Sequence, residues 1–398
     1  MKQAVAKWMV LSAIILMDIL VGMEFDLFVP SFPELQSQFG LSPFWVEALL
    51  SANFAGYCLS LFFVGSLADH YGRKPIILLG LVMFLMGSTM CLWAPSYEFL
   101  LIGRFLQGVG IAAPAILSFL IIADAYPIKQ QQFYMAMLNG VMNVSVGAAP
   151  VLGSYITLYF HWQGNFMTLL LLGVITLVMT VFFIPNYKLP KQKESLSLRG
   201  YVPLFQSKPL VLLIAHIVFS FVPYWVFVGM APLLYMEDLG VPLAHFGYYQ
   251  GALALVFGLG SILCGFMVNH YDQKKMLALS TQILIVGFIS VALVAVSNTL
   301  NPLLITFAFL IFIVGAIIPG TILGPLCLNF MPQAKGRVSS ILQGGRLIFT
   351  ILSLQVAGYF YQGTFQNIGI IIAGFIFMTV ITLFFVIKNQ ELMKLSHG

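Results

Sequence analysis

Charge is what this chain has least of. Only 8% of its 398 residues are Asp, Glu, Lys or Arg, while 60% are hydrophobic. A soluble domain carries roughly 25% charged residues. A chain this long could bury a large core, but so few charges cannot cover a water-facing surface around it. The composition therefore excludes a soluble protein and places lipid against much of the molecule. Cysteine is also scarce. Cys58, Cys91, Cys264 and Cys327 each fall inside an apolar run, which excludes a disulfide framework or thiolate metal site and marks them as small core hydrophobes. Also missing are a phosphate-cradling glycine loop, a His/Cys cluster at metal-ligand spacing and a nucleophile with its base. Those absences argue against an enzyme, a resident metal or cofactor, and direct ATP drive by this chain. The net charge of +5 is spread between the apolar runs instead of forming a nucleic-acid patch.

What is abundant is long apolar sequence. A membrane-crossing helix needs about 20 mostly apolar residues. Twelve runs qualify, near 8–30, 44–67, 75–94, 99–123, 134–157, 164–185, 210–235, 244–268, 275–297, 302–327, 336–360 and 366–388. They are continuously apolar and not alternating, so helices are expected and a β-barrel is not. The opening "MKQAVAKWMVLSAIILM" has the basic-then-apolar order of a signal peptide. No small-x-small site follows, and the apolar run continues into "DILVGMEFDLFVP", so it reads as a retained first span.

Lys and Arg collect on the cytoplasmic side of a membrane protein. Of 18 such residues, all but Arg104 and Arg346 fall at the chain ends or in the even-numbered connections between runs. The opposite side carries Glu34, Glu98, Glu237 and Asp238. Both termini are therefore expected in the cytoplasm. The longest polar stretch, "NYKLPKQKESLSLRGYVPLFQSKP", suggests two six-helix bundles, residues 1–187 and 209–398, joined by a cytoplasmic linker over 188–208. The halves look duplicated. "GSLADHYGRKP" at 65–75 and "GFMVNHYDQKK" from 265 share Gly, His, Tyr and Lys at matching places, each after the second run of its half. Parallel repeats of this kind are one transporter design, with substrate near the midplane between them.

The first of those turns admits two readings. Gly65 and Gly72 permit close packing and a tight bend, and Asp69, Arg73 and Lys74 can form a charge cluster that makes and breaks as a conformational latch. Alternatively the cations serve topology alone. On the fifth run, Gly140, Gly147, Pro150 and Gly153 allow close approach and bending, as hinges in a rocking protein would.

These motifs carry a resemblance. G-x-L-A-D-x-x-G-R-K-P between the second and third runs resembles the signature loop of the major facilitator superfamily. "LIGRFLQGVG" at 101–110 is similar to the fourth-span motif of its proton-coupled members, "GAAPVLGSY" at 147–155 to the fifth-span motif of its antiporters, and "FDLFVPSFPEL" at 25–35 to the end of span one in Bcr/CflA-type and MdfA-like drug:proton antiporters. The resemblance implies the all-α, twelve-helix major facilitator fold and a multi-pass inner-membrane transporter that exchanges protons for small amphiphilic compounds. It also assigns Asp18 and Asp26 to binding protons and cationic drugs, and ties Arg104 to proton coupling.

A charge in the bilayer costs at least about 2.5 kcal/mol and needs a partner or a task. Along the first span Asp18 and Asp26 differ by about 80°, so they are expected to share a face roughly 12 Å apart along the axis, with Glu24 on the opposite side. Arg104 lies at about the depth of Asp26, so an Asp26–Arg104 ion pair is expected. That pair can couple to protons or be a static bridge. Arg346 is roughly 13 Å into the eleventh run. It either bridges to Asp18 or clamps an anionic group on the cargo. The second option leaves open a siderophore or other organic-anion transporter, in either direction. Glu24, Asn53, Tyr57, Asn139 and Asn143 in the first half, and Tyr224, Tyr248 and Gln343 in the second, are further candidates for lining a cavity, or for plain helix–helix hydrogen bonding. A non-transporting receptor or scaffold would have no use for these charges. The expected partners are a small-molecule substrate, protons and the lipid bilayer, with no nucleic acid, and a monomer suffices for the design.

Overall fold

The computed structural model describes residues 2–125, 128–186, 202–268, 270–331 and 334–395. The side chains of Asp69 and Asn139, singled out above, fall outside the described set, as do residues 188–201 of the expected linker. The described chain is almost wholly helical. In the first half α1 is Lys2–Glu24, α2 Phe32–Phe39, α3 Pro43–Tyr71, α4 Arg73–Leu92, α5 Tyr97–Ala125 and α6 Ile128–Phe183. A short α7, Val202–Gln206, leads to α8 Lys208–Pro232, α9 Leu243–Met267, α10 Gln273–Ser297, α11 Pro302–Asn329, α12 Lys335–Phe360, α13 Phe365–Lys388 and α14 Gln390–Leu395.

Among the described residues, 11 helical stretches are long and apolar enough to cross a membrane. One of them, Gly140–Phe183, is 44 residues long and contains a break at His161 (φ 59, ψ −176). Its two arms are separate crossings, giving the twelve spans expected. The break is costly backbone for a non-glycine residue. It is pinned from α2: the Glu34 carboxylate accepts from the Trp162 backbone N–H at 2.9 Å and lies 2.8 Å from His161 Nδ1, while Trp162 Nε1 donates to Gln38 at 2.5 Å.

The first span departs from the continuous helix expected over 8–30. The α-helix stops at Glu24, and the chain passes through a turn into a 3-10 segment, Val29–Ser31, before α2. Pro30 lies in that 3-10 segment, where its missing N–H and its restriction of Val29 disfavour an α-helix running on through this stretch. Asp18 and Asp26 therefore do not share one helical face.

By contact the chain divides into two units, residues 1–194 with 242–251, and 195–241 with 252–398. In the first, α3 lies on α5 at near backbone contact. A Cβ on Gly56 would strike the Phe105 carbonyl, and one on Gly108 the Asn53 carbonyl, so these positions need glycine for the helices to meet. In the second, α8, α10, α11 and α13 enclose an aromatic core in which Phe227 stacks on Phe309 at 4.3 Å. Tyr361, between α12 and α13, donates to Asp238, and burial together with that acid pushes its phenol above the usual range.

At the first signature turn Gly72 closes α3 with φ 96, a conformation glycine tolerates. Gly65 faces open space, and Arg73 is buried. Lys74 Nζ donates to the Val181 carbonyl at 2.7 Å, capping the end of α6. In the matching turn of the second half Asp272 accepts from the Lys275 N–H at 2.9 Å, so a side-chain helix cap stands where the first copy has Gly72.

Candidate functional site: buried acids and arginines

Arg104, on α5, is fully buried and pairs with Glu24 at 3.0 Å, not with Asp26 as expected. Glu24 is the last residue of α1 and still projects as part of that helix, whereas Asp26 belongs to the turn beyond it. The pair anchors a polar network across four spans. Arg104 Nη1 also donates to Gln107 Oε1 at 2.7 Å, and Gln107 Nε2 donates to Ser88 at 2.8 Å. Asn53 on α3 donates to Glu24 at 2.5 Å and to the Arg104 carbonyl at 3.2 Å. The guanidinium also lies over the Phe28 ring, 3.9 Å from its centre. Arg104 Nε and Nη2 and Glu24 Oε2 have no hydrogen-bond partner, so one edge of the guanidinium is unused.

Asp26 is buried, and neither of its carboxyl oxygens has a hydrogen-bond partner. Asp18 is buried on α1; its Oδ1 accepts from Ser118 at 2.9 Å and its Oδ2 has no partner. The sequence reading passed over Glu47. It sits one turn inside α3, fully buried, with both oxygens lacking a partner. Its place inside a continuous apolar run was the signal, and it was there to be read. Gln107, three residues from Arg104 and so on the same helical face, was equally legible. Ser88 and Ser118 were not, because nothing local distinguishes them from other small span residues.

The other candidates divide. Tyr57 meets Phe25 edge-on at 5.7 Å. Asn143 is half-buried. Tyr224 contacts Trp225 edge-on at 5.5 Å, and Tyr248 bonds Tyr155 at 2.8 Å. Of the expected hinges, Gly140 faces open space, whereas a Cβ on Gly153 would strike the Leu27 carbonyl, so Gly153 serves close packing of α6 on the end of the first span. Ser154 donates back to the Pro150 carbonyl at 2.8 Å, and the Gly147 carbonyl lies where a Cβ on Gly251 would come within 2.9 Å.

In the second unit Arg346 of α12 donates to Gln343 at 3.1 Å and lies over Phe221, 5.0 Å from the ring centre. Its Nε has no hydrogen-bond partner.

The model of the Major Facilitator Superfamily matches residues 14–354 and again 217–396. The chain belongs to this superfamily. The overlapping second match covers the later half, in keeping with the duplicated loop. Among relatives of this facilitator, "Multidrug resistance protein MdtL" of Shewanella oneidensis is 27% identical over 71% of the chain and 72% of that protein. The "Bicyclomycin resistance protein homolog" of Haemophilus influenzae is 28% identical over 65% of the chain and 66% of that protein. A crystal structure of a D-xylose-proton symporter superposes with a TM-score of 0.73 at 13% identity, covering 95% of this chain and 96% of that one. At that identity the likeness shows the fold. The protein is a multi-pass inner-membrane member of a transporter superfamily.

Proposed function

We propose that this facilitator is a proton-coupled antiporter that exports small amphiphilic compounds by alternating access. One observation carries the reading: Asp26 is a buried acid with both oxygens unpartnered, two residues from a Glu24–Arg104 pair that is already made. An ionised, unpartnered carboxylate in oil costs several kcal/mol, so Asp26 is suited to exchange one positive partner for another. Its partners are a proton, a cationic cargo group, or the unused edge of Arg104. A proton taken from the periplasm occupies the carboxyl and displaces cargo outward; release of that proton to the cytoplasm restores the anion for the next cargo. Asp18, with one bare oxygen, serves as the second cargo or proton acceptor on the same span. The names of the multidrug-resistance relatives support a drug-like cargo.

The test is extrusion of ethidium from vesicles under an imposed pH gradient. Asp26→Asn is expected to abolish gradient-driven exchange, with the purified variant remaining monodisperse. Exchange at the wild-type rate would remove Asp26 from the mechanism.

A further inference from the structure

The two arginines inside the spans differ in one respect. Arg104 has a carboxylate in its own unit. Arg346 has no carboxylate partner among the described residues of its unit; beside it lie Gln343, Phe221 and Cys327 of α11. The described acids of that unit lie elsewhere. Glu237 and Asp238 close the π-helical turn after α8, Asp272 caps α10, and Glu391 is in α14. Arg346 is half-buried overall, with its Nε enclosed. Gly345 beside it brings α12 close to α8, since a Cβ there would come within 3.2 Å of Val218. A stem of this length at a span's end could reach water, but Arg346 lies well inside the helix, where a bare cation is expensive to keep.

We propose that Arg346, with Gln343 beside it, is an anion subsite that selects substrates carrying a carboxylate. Gln343 and the Phe221 face orient the guanidinium. Its terminal nitrogens form the planar fork that takes a carboxylate through two hydrogen bonds. The favoured cargo then carries a carboxylate, read here. This inference rests on the transport reading above for its cargo class, but its test is a binding measurement without a gradient.

The probes are norfloxacin, which bears a carboxylate and an amine, norfloxacin methyl ester, and ethidium, which has no anionic group. Binding is measured with detergent-purified protein at fixed pH. Wild type is expected to bind norfloxacin about tenfold or more tightly than its ester, the scale of a charge-assisted hydrogen bond. Arg346→Gln should bring norfloxacin down to the ester and leave ethidium within about twofold, on the same scale. Arg346→Lys, which keeps the charge and loses the fork, should fall between; it stands in if the glutamine variant does not fold. Equal wild-type affinity for norfloxacin and its ester overturns the proposal. So does a parallel loss for ethidium, which would mark Arg346 as a structural counter-charge. A failure of ethidium extrusion with these binding differences intact would instead count against the transport reading alone.

Discussion

Removing one member of a buried ion pair leaves the other as a bare charge in a low-dielectric interior, at a cost of roughly 3–5 kcal/mol. Arg104→Met should therefore lower the melting temperature of the purified protein sharply, because Glu24 would keep only Asn53. The double variant Glu24→Gln/Arg104→Met should recover much of that loss, since two neutral groups replace the charges. A double variant no more stable than Arg104→Met would show that the pair is not the main energetic link. Glu47 is the contrasting case, because it has no partner to orphan. Glu47→Gln should leave the melting temperature unchanged or raise it, whereas Glu24→Gln should lower it. At this scale the sequence showed which residues were misplaced in oil, because an acid or arginine in an apolar run is visible by itself. It did not show who pairs with whom. That depended on where α1 ends, and a helical wheel drawn through Asp26 assumed a helix that stops at Glu24.

Between elements, backbone proximity sets the geometry of the first unit. The α3–α5 contact passes through Gly56 and Gly108, and it is this contact that delivers Asn53 to both Glu24 and the Arg104 carbonyl. Gly108→Ala should force the helices apart and disturb the ion pair at once, reducing the yield of monodisperse protein and its melting temperature. Gly65→Ala is the control: open space surrounds it, and alanine is the better helix former by roughly 0.5–1 kcal/mol, so stability should hold or rise. Equal damage from both would refute the close-contact account. Helix existence was legible here from apolar length. The break at His161 was legible only as a gap between runs 134–157 and 164–185. Its pinning by Glu34 and Gln38 of α2 joins residues over 120 positions apart in the chain and has no local signature.

For the molecule as a whole, the distribution of Lys and Arg predicts which side each connection faces. The four native cysteines are buried, so an introduced thiol can report accessibility. Lys274→Cys, exposed in the first turn of α10, should react with a membrane-impermeant maleimide only after the cells are opened. Leu300→Cys, 68% exposed between α10 and α11, should react on intact cells. The reverse pattern would invert the assigned orientation. The sequence by itself determined that the chain is a twelve-span membrane protein of this superfamily, because span length, charge sidedness and the duplicated loop are local or periodic features that need no knowledge of packing. Only the tertiary structure decided that Glu24 neutralises Arg104, that Asp26 stands bare and that no carboxylate among the described residues of its unit pairs with Arg346. Those facts turn on helix ends and on glycine contacts a few ångströms wide, where one residue's shift along a helix turns a side chain by about 100°.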